Sequence, residues 1–348
     1  MVEEQALADA ARAGDEDAFA ALAERYRWEL SVHCYRMLGS YDDAEDIVQE
    51  TLLRAWRHRD GYAGRSTFRA WLYKIATNAC LDLLARDRRR PAPYAGPPLA
   101  ASARPHTPPA DVPWLQPFPD RLLERSGDAD PAAAAVARET IELAFLVAIQ
   151  HLPARQRAVL LTRDVLGWTA PETAELLDTS VASVKSALQR ARATLRLHLP
   201  ERRADWTRPP AARADERALL RRYVAAHERA EPGALAALLA ADVRLTMPPH
   251  PAWLAGGDAL LAFTGRVFDP ASSWYHGRWR CVVTGANRQP AVAHYVEFPS
   301  APHATGADGR LHAQVVDVLA IEDGRVTAIT SFGPDRLPGF GLPPVVDR

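Results

Sequence analysis

The segment Phe68-Arg69-Ala70-Trp71-Leu72-Tyr73-Lys74-Ile75-Ala76-Thr77-Asn78-Ala79-Cys80 sets rings, cations and an amide on one predicted helix. It runs on toward Arg86-Asp87-Arg88-Arg89-Arg90. Rings stack on unpaired bases and cations hold phosphates, so this mixture suits single-stranded nucleic acid. Trp71, Leu72 and Ile75 fall at core spacing. That leaves Asn78 and the preceding loop 61–67, with Gly64, Arg65, Ser66 and Thr67, as the candidates for base contact. A second segment, from Asp42 to Trp56, is amphipathic: Ala44, Ile47, Val48, Leu52 and Ala55 share one face, and Asp43, Asp46 and Glu50 another. On pattern alone an acidic face is most often simply solvated.

A third set lies further on. Leu152-Pro153 opens a helix with proline where a helix start tolerates it. Thr169 with Glu172 three residues later forms a capping-box pattern for a helix over about 170–177. Asp178-Thr179-Ser180 is a turn, and a longer helix follows to about Leu197. Helix, short turn and second helix form the arrangement that lays the second helix in the major groove. That second helix is expected to expose Ser183, Lys185, Ser186, Gln189 and Arg190, suited to base edges and phosphates. Arg192, Arg196, Arg202 and Arg203 continue the positive charge.

Near the C-terminus, Asp317 sits on the apolar side of a predicted strand with Val315, Leu319 and Ile321. His294 sits likewise with Val292, Val296 and Phe298. A carboxyl buried on such a face is expected to have a raised pKa, which would suit a general base. The plainer reading of both residues is a satisfied polar group within a sheet.

The elements that must position these groups divide the chain. Residues 3–90 read as consecutive helices without proline. Prolines crowd 91–131, so that stretch is expected to be an extended linker, with Trp114-Leu115-Gln116-Pro117-Phe118 apolar enough to dock somewhere. Helices resume to about Leu199, and Pro209-Pro210 marks a second break. A helix is expected over 216–240. Strands are expected at 243–247, 279–283, 291–298, 312–321 and 326–332, forming a mostly antiparallel sheet. The fold class is therefore multidomain: two all-α domains followed by an α+β domain. The boundaries are 1–90, a linker 91–135, 136–203 and 213–340.

Composition sets outer bounds. The chain has 348 residues, 48% of them hydrophobic, and a formal net charge of −1, so any nucleic-acid contact must come from a local basic cluster. Cys34, Cys80 and Cys281 form no CxxC pair, so neither a metal site nor a disulfide framework is expected, nor any cofactor. No signal peptide and no membrane span are evident, and a cytoplasmic protein that does not engage a membrane is expected.

The two helical segments in order resemble region two of the extracytoplasmic-function sigma factors. The motif runs from Asp43 to Trp56 with Leu52 where phenylalanine is usual, and the F-x-x-W-L-x-x-I-A-x-N pattern from Phe68 to Asn78. Leu152 to Thr162 and Ser180 to Arg192 resemble that family's fourth region. The resemblance implies that Asp43, Asp46, Gln49 and Glu50 face core RNA polymerase. It implies that Gly64, Arg65, Ser66, Thr67 and Asn78 read the promoter −10 element, and that Ser183, Lys185, Ser186, Gln189 and Arg190 read the −35 element. It also implies a linker that threads the polymerase channel.

The C-terminal pieces Tyr223–Glu228, Met247-Pro248-Pro249, Trp253–Gly256, 287–291 and 321–326 resemble the SnoaL-like, ketosteroid-isomerase-like cone. Such a cone implies an apolar pocket, with His294, Asp317 and Trp253 as its candidate lining. The reading is a sigma factor rather than an enzyme, binding polymerase and promoter DNA, with the cone as a regulator that docks on the sigma domains. A small-molecule ligand or an anti-sigma protein is a further candidate partner. Two alternatives follow: a bifunctional chain whose cone binds or turns over a small molecule, and a DNA-binding regulator that uses only the helix-turn-helix.

Overall fold

A computed structural model describes residues 2–62, 64, 67–86, 114–124, 141–199, 212–298 and 309–347. Arg65, Ser66, Arg202, Arg203 and the prolines before residue 114 lie outside the described residues. The chain forms two compact units, residues 1–91 with 123–206 and residues 92–122 with 207–348.

The first unit is helical. Its helices are α1 (Val2–Arg12), α2 (Glu16–Leu38), α3 (Tyr41–Arg57), α4 (Phe68–Arg86), α5 (Leu143–Gln150), α6 (Ala154–Leu160), α7 (Ala170–Leu176) and α8 (Val181–His198). Their boundaries follow from local chemistry. Asp15 accepts from the Ala18 amide at 3.0 Å and starts α2. Gly39, at φ 70°, ends α2, and Ser40 accepts from the Asp43 amide to start α3 at once. Leu22, Leu30, Val48, Leu72 and Ala76 fill the space between α2, α3 and α4.

Arg157 on α6 is buried, with 4% of its surface exposed, and it gathers carbonyls that helices leave unpaired at their C-terminal ends. It donates to the carbonyls of Ile149 (2.9 Å), Gln150 (3.1 Å) and Leu152 (3.1 Å), to Gln150 Oε1 (2.5 Å), and to the carbonyl of Met37 at the end of α2. Gln150 in turn donates to the Arg36 carbonyl at 3.2 Å. One guanidinium thus joins the ends of α2 and α5, where helix dipoles concentrate negative charge.

The second unit opens with α9 (Ala212–Glu228) and α10 (Pro232–Ala236). Its strands are β1 (Leu239–Met247), β2 (His250–Ala255), β3 (Trp279–Ala286), β4 (Gln289–Val296), β5 (Leu311–Glu322), β6 (Arg325–Phe332) and β7 (Val345–Val346), and helix α11 (Gly257–Phe268) lies between β2 and β3. The sheet order is β2-β1-β6-β5-β4-β3, with β7 added to β5. The β1–β6 pairing is parallel and the other strand pairs are antiparallel. Register shifts at Thr246/Met247, His294/Tyr295 and Ala320/Ile321 bend the sheet. Its inner residues, including Val292, Leu319 and Ile329, meet Leu219, Leu220 and Tyr223 of α9 and Leu260 of α11.

Three expectations need correction, the first being that the stretch 91–131, expected to be extended, holds a short helix at Asp120–Glu124. The helix expected over 216–240 ends at Glu228, because Ala230 takes a positive φ of 50° and reverses the chain, and strand begins at Leu239. Both β2 and α11 were missed, the first behind a proline-dense approach. The separate all-α and α+β parts are as expected.

Replacing Arg157 by methionine should destabilise the helical unit by roughly 3 kcal/mol, since at least three carbonyls lose a charged donor. Urea unfolding followed by helix signal measures this; a loss below about 1 kcal/mol would contradict the role given to Arg157.

Candidate functional site

Helix α3 turns its two sides to different tasks. Ala44, Val48 and Ala55 are buried, and Glu45 leans inward to accept from the Ser31 hydroxyl at 2.9 Å. Asp46 and Gln49 are exposed, and Asp43 and Glu50 are half-buried. Glu50 is held by Arg54 at 2.6 Å, one turn along. Beside them Leu53 is 49% exposed, an apolar group set in an acidic face. The four residues singled out from sequence therefore share one accessible face, with an exposed leucine at its C-terminal end that sequence reasoning missed.

Thr67 is exposed and caps α4, its hydroxyl accepting from the Ala70 amide at 3.1 Å; Gly64 is exposed at φ 67°. Phe68 packs among Phe19, Tyr26, Tyr62 and Trp71, fixing the start of the helix beneath the loop. Of the three residues expected in the core, Leu72 is buried, while Trp71 and Ile75 are half-buried. Tyr73, unremarked from sequence, is fully buried; its hydroxyl donates to Glu29 at 3.3 Å, and Arg69 clasps the same carboxylate at 2.8–3.0 Å. Asn78 is half-buried, one turn beyond Lys74. Lys74 donates to Asp178 Oδ1 at 2.8 Å and to the Glu175 carbonyl at 3.2 Å, and Tyr73 packs on Trp168 with ring centres 5.4 Å apart. The face of α4 near Asn78 is thus engaged by the helix-turn-helix of the same unit.

That helix-turn-helix is α7, a turn at 177–180, and α8. The expected capping box is present: the Glu172 carboxylate accepts from the Thr169 amide at 2.6 Å, and the Glu172 amide donates to Thr169 Oγ1 at 3.3 Å. Ser180 caps α8. Val184, Leu188 and Ala191 face inward, and Ser183, Lys185, Ser186, Gln189 and Arg190 are all exposed on the opposite side. Arg192 is tied to Asp164 by bonds of 2.7 and 2.8 Å, so it is less available than the sequence suggested.

In the second unit, β4 and β5 place His294 and Asp317 diagonally on one face, since His294 pairs with Val315 and Asp317 with Val292. His294 Nε2 lies 3.0 Å from Asp317 Oδ2. Asp317 also accepts from the Ser331 hydroxyl at 2.5 Å and the Tyr223 hydroxyl at 2.8 Å. Burial opposes the His294 charge, but Cys281 and Asp317 beside it carry its pKa up to about 10. Burial likewise opposes the Asp317 charge, yet His294 and Ser331 hold its carboxyl down to about 2. The raised carboxyl pKa expected from sequence is overturned, because the group is buried with a cationic partner; as a base it is weak. Trp253 does not join them. It lies on β2 at the far side of the sheet, under the Arg244 guanidinium at 4.4 Å. His227 and Tyr223 do join, and sequence spacing gave no sign of either.

The proline-rich segment supplies a contact that was only a suggestion from sequence. Within the second unit, Phe118 and Leu115 are buried, 2% and 4% exposed. The Phe118 amide donates to Asn287 Oδ1 at 2.8 Å, and the Asn287 amide donates back to the Phe118 carbonyl at 2.9 Å. Pro117 and Pro119 carry no N–H, so Phe118 is the residue between them with an amide to place. Pro119 bridges Ala286, Asp120 accepts from the Arg288 amide at 2.8 Å, and Arg121 donates to the Gly339 carbonyl at 2.8 Å. Asn287 and Arg288, at φ 56° and 61°, make the tight β3–β4 turn that presents these amides. Gly285 leaves room for Asp120: a Cβ there would stand 2.6 Å from its Oδ2.

Residues 22–90 match the Sigma-70 region 2 family, 142–195 match Sigma-70, region 4, and 220–329 match the SnoaL-like domain. The ECF RNA polymerase sigma factor SigG of Mycobacterium tuberculosis is 41% identical over 334 residues, covering 95% of this chain and 85% of that protein. SigW of Bacillus subtilis is 30% identical over 186 residues, covering 53% of this chain and 91% of that protein. The crystal structure of Mycobacterium tuberculosis SigJ, an extracytoplasmic function sigma factor, superposes with a TM-score of 0.56 at 23% identity, over 93% of this chain and 99% of that one, a likeness of fold. With both sigma regions in order on the helical unit and a relative matched almost end to end, the chain belongs to the extracytoplasmic-function sigma factors and carries a SnoaL-like domain after its helix-turn-helix.

Proposed function

We propose that the SnoaL-like domain regulates this sigma factor by holding the linker between regions 2 and 4. As a sigma factor the chain binds core RNA polymerase and promoter DNA and directs transcription initiation; it is not an enzyme. Among the described residues no helix is long and apolar enough to cross a membrane, and the proposed place of action is the cytoplasm, beside polymerase.

The reciprocal bond between Phe118 and Asn287 is the observation that carries the regulatory reading. Burying Phe118 and Leu115 contributes about 2–3 kcal/mol each, and the hydrogen bonds about 1 kcal/mol each. A holding energy of that size is enough to bias a two-state equilibrium between a captured and a free linker. Polymerase that takes up the linker must first overcome it.

The site assignments belong to the same proposal. Asp43, Asp46, Gln49 and Glu50 contact polymerase, with exposed Leu53 at the C-terminal end of the patch. The loop with Gly64 and Thr67, together with Asn78, reads the −10 element, and the exposed row from Ser183 to Arg190 reads the −35 element. The engagement of Lys74 by Asp178 supports a free form in which α4 is not yet open to DNA. The alternative in which the cone turns over a small molecule is not favoured by the relatives or by the low carboxyl pKa of Asp317.

Three outcomes test these assignments. Asp46→Lys with Glu50→Lys should weaken association with core polymerase at least tenfold, about 1.4 kcal/mol, in a binding titration; retained affinity would refute the assigned face. Gln189→Ala or Arg190→Ala should lower promoter-specific binding by about 1–3 kcal/mol each and leave polymerase binding intact; an equal loss on unrelated DNA would mean that these residues hold phosphates only. Phe118→Ala should raise promoter-directed transcription several-fold at limiting sigma concentration, because the captured linker loses its anchor. Gly285→Ala, which crowds Asp120, should act in the same direction. Unchanged transcription in both would remove the regulatory reading.

A further inference from the structure

The cluster inside the C-terminal domain has a composition that neither promoter binding nor linker capture uses. His227 on α9, His294 on β4 and Asp317 on β5 are buried, with 6%, 0% and 6% of their surfaces exposed. One donor atom from each lies within 4.8 Å of those from the other two. The three come from separate elements, which is why no spacing motif in the sequence marks them.

Their other atoms are already assigned. His227 Nδ1 lies 3.0 Å from the Tyr223 carbonyl, which fixes the proton there and leaves Nε2 as the electron-pair donor. His294 Nδ1 lies 3.3 Å from Cys281 Sγ, so its Nε2 is the nitrogen beside Asp317. That nitrogen is 3.0 Å from Asp317 Oδ2. A single cation, proton or metal ion, can therefore bridge the two atoms. The Ser331 and Tyr223 hydroxyls orient the carboxylate. Imidazoles fixed through their second nitrogen and a carboxylate fixed by hydroxyls are the outer support that metal ligands carry.

We propose that His227, His294 and Asp317 form a binding site for one divalent transition-metal ion of the zinc or iron(II) type. Two imidazole nitrogens with one carboxylate oxygen are too nitrogen-rich for calcium or magnesium and lack the thiolates that select softer ions. The Cys281 thiol touches His294 rather than the ion. In the metal-free domain a proton on His294 serves as the counter-charge to Asp317. A bound ion would tie α9 to the sheet through three elements and stiffen the domain. The site stands apart from linker capture, which uses Asn287, Arg288 and Gly339 instead.

The test uses the full-length chain, stripped with chelator and then titrated with zinc and, separately, cobalt(II). Bound metal is measured after desalting, and thermal unfolding is followed in parallel. One equivalent should remain bound, with a rise in melting temperature of roughly 5 °C or more. His227→Gln and Asp317→Asn, which keep side-chain volume, should lose that equivalent. His198→Gln should keep it, although His198 stacks on His151 with ring centres 3.8 Å apart and offers an adventitious site elsewhere. The cobalt protein should show visible bands of low coordination number without a thiolate charge-transfer band, and Cys281→Ser should leave them in place. No retained metal in the wild type, equal retention in the two ligand variants, or a thiolate band would each overturn the assignment; the wild-type cobalt spectrum decides the matter even where a variant fails to fold.

Discussion

The Arg157 guanidinium is the interaction on which the helical unit depends. Helices α2 and α5 end with carbonyls directed at one buried point, where the helix dipoles concentrate negative charge. Arg157 answers that constraint with bonds to α2, α5 and the turn that starts its own helix. The two sigma regions are joined at the buried Arg157 and Gln150 contacts with the end of α2, at the Tyr73–Trp168 ring contact, and at the surface, where Lys74 meets Asp178. The Lys74–Asp178 pair, at the surface, adds little to that junction by itself.

The C-terminal unit follows the same rule with different chemistry. Asn287 is fully buried in a tight turn, and the partner that satisfies it is the backbone of Phe118, from the linker. Asp317 is buried in the sheet and draws partners from α9, β4 and β6. In each case a buried polar group is tolerated because a partner distant in sequence is brought to it, and that partner sets what the element can do. The linker is therefore a structural member of the SnoaL-like domain as well as a tether between sigma regions.

Much of this was legible in the sequence, and the reason is locality. The apolar periodicity of α3, the Thr169–Glu172 capping box and the apolar runs of β4 and β5 depend on neighbours a few residues away. The exposed row on α8 was found in full for the same reason. Features set by distant contacts were not legible. Nothing local marks Arg157 or His227, because the partners of each lie on other elements. Strand β2 was hidden because prolines before it signal a break, and the end of α9 was overrun because the positive φ of Ala230 has no signature in an alanine. The buried carboxyl of Asp317 was placed correctly and its acidity misjudged, since His294 enters from a strand whose register the sequence does not state.

The central claim is that the SnoaL-like domain holds the linker until polymerase takes it. Hydrogen–deuterium exchange over 114–122 and the β3–β4 turn, in the free chain and bound to core polymerase, tests this most directly. The amides of Phe118, Asn287 and Arg288 should be protected in the free chain and exchange at least tenfold faster in the complex. Protection that is unchanged on binding polymerase, or absent from the free chain, would contradict it.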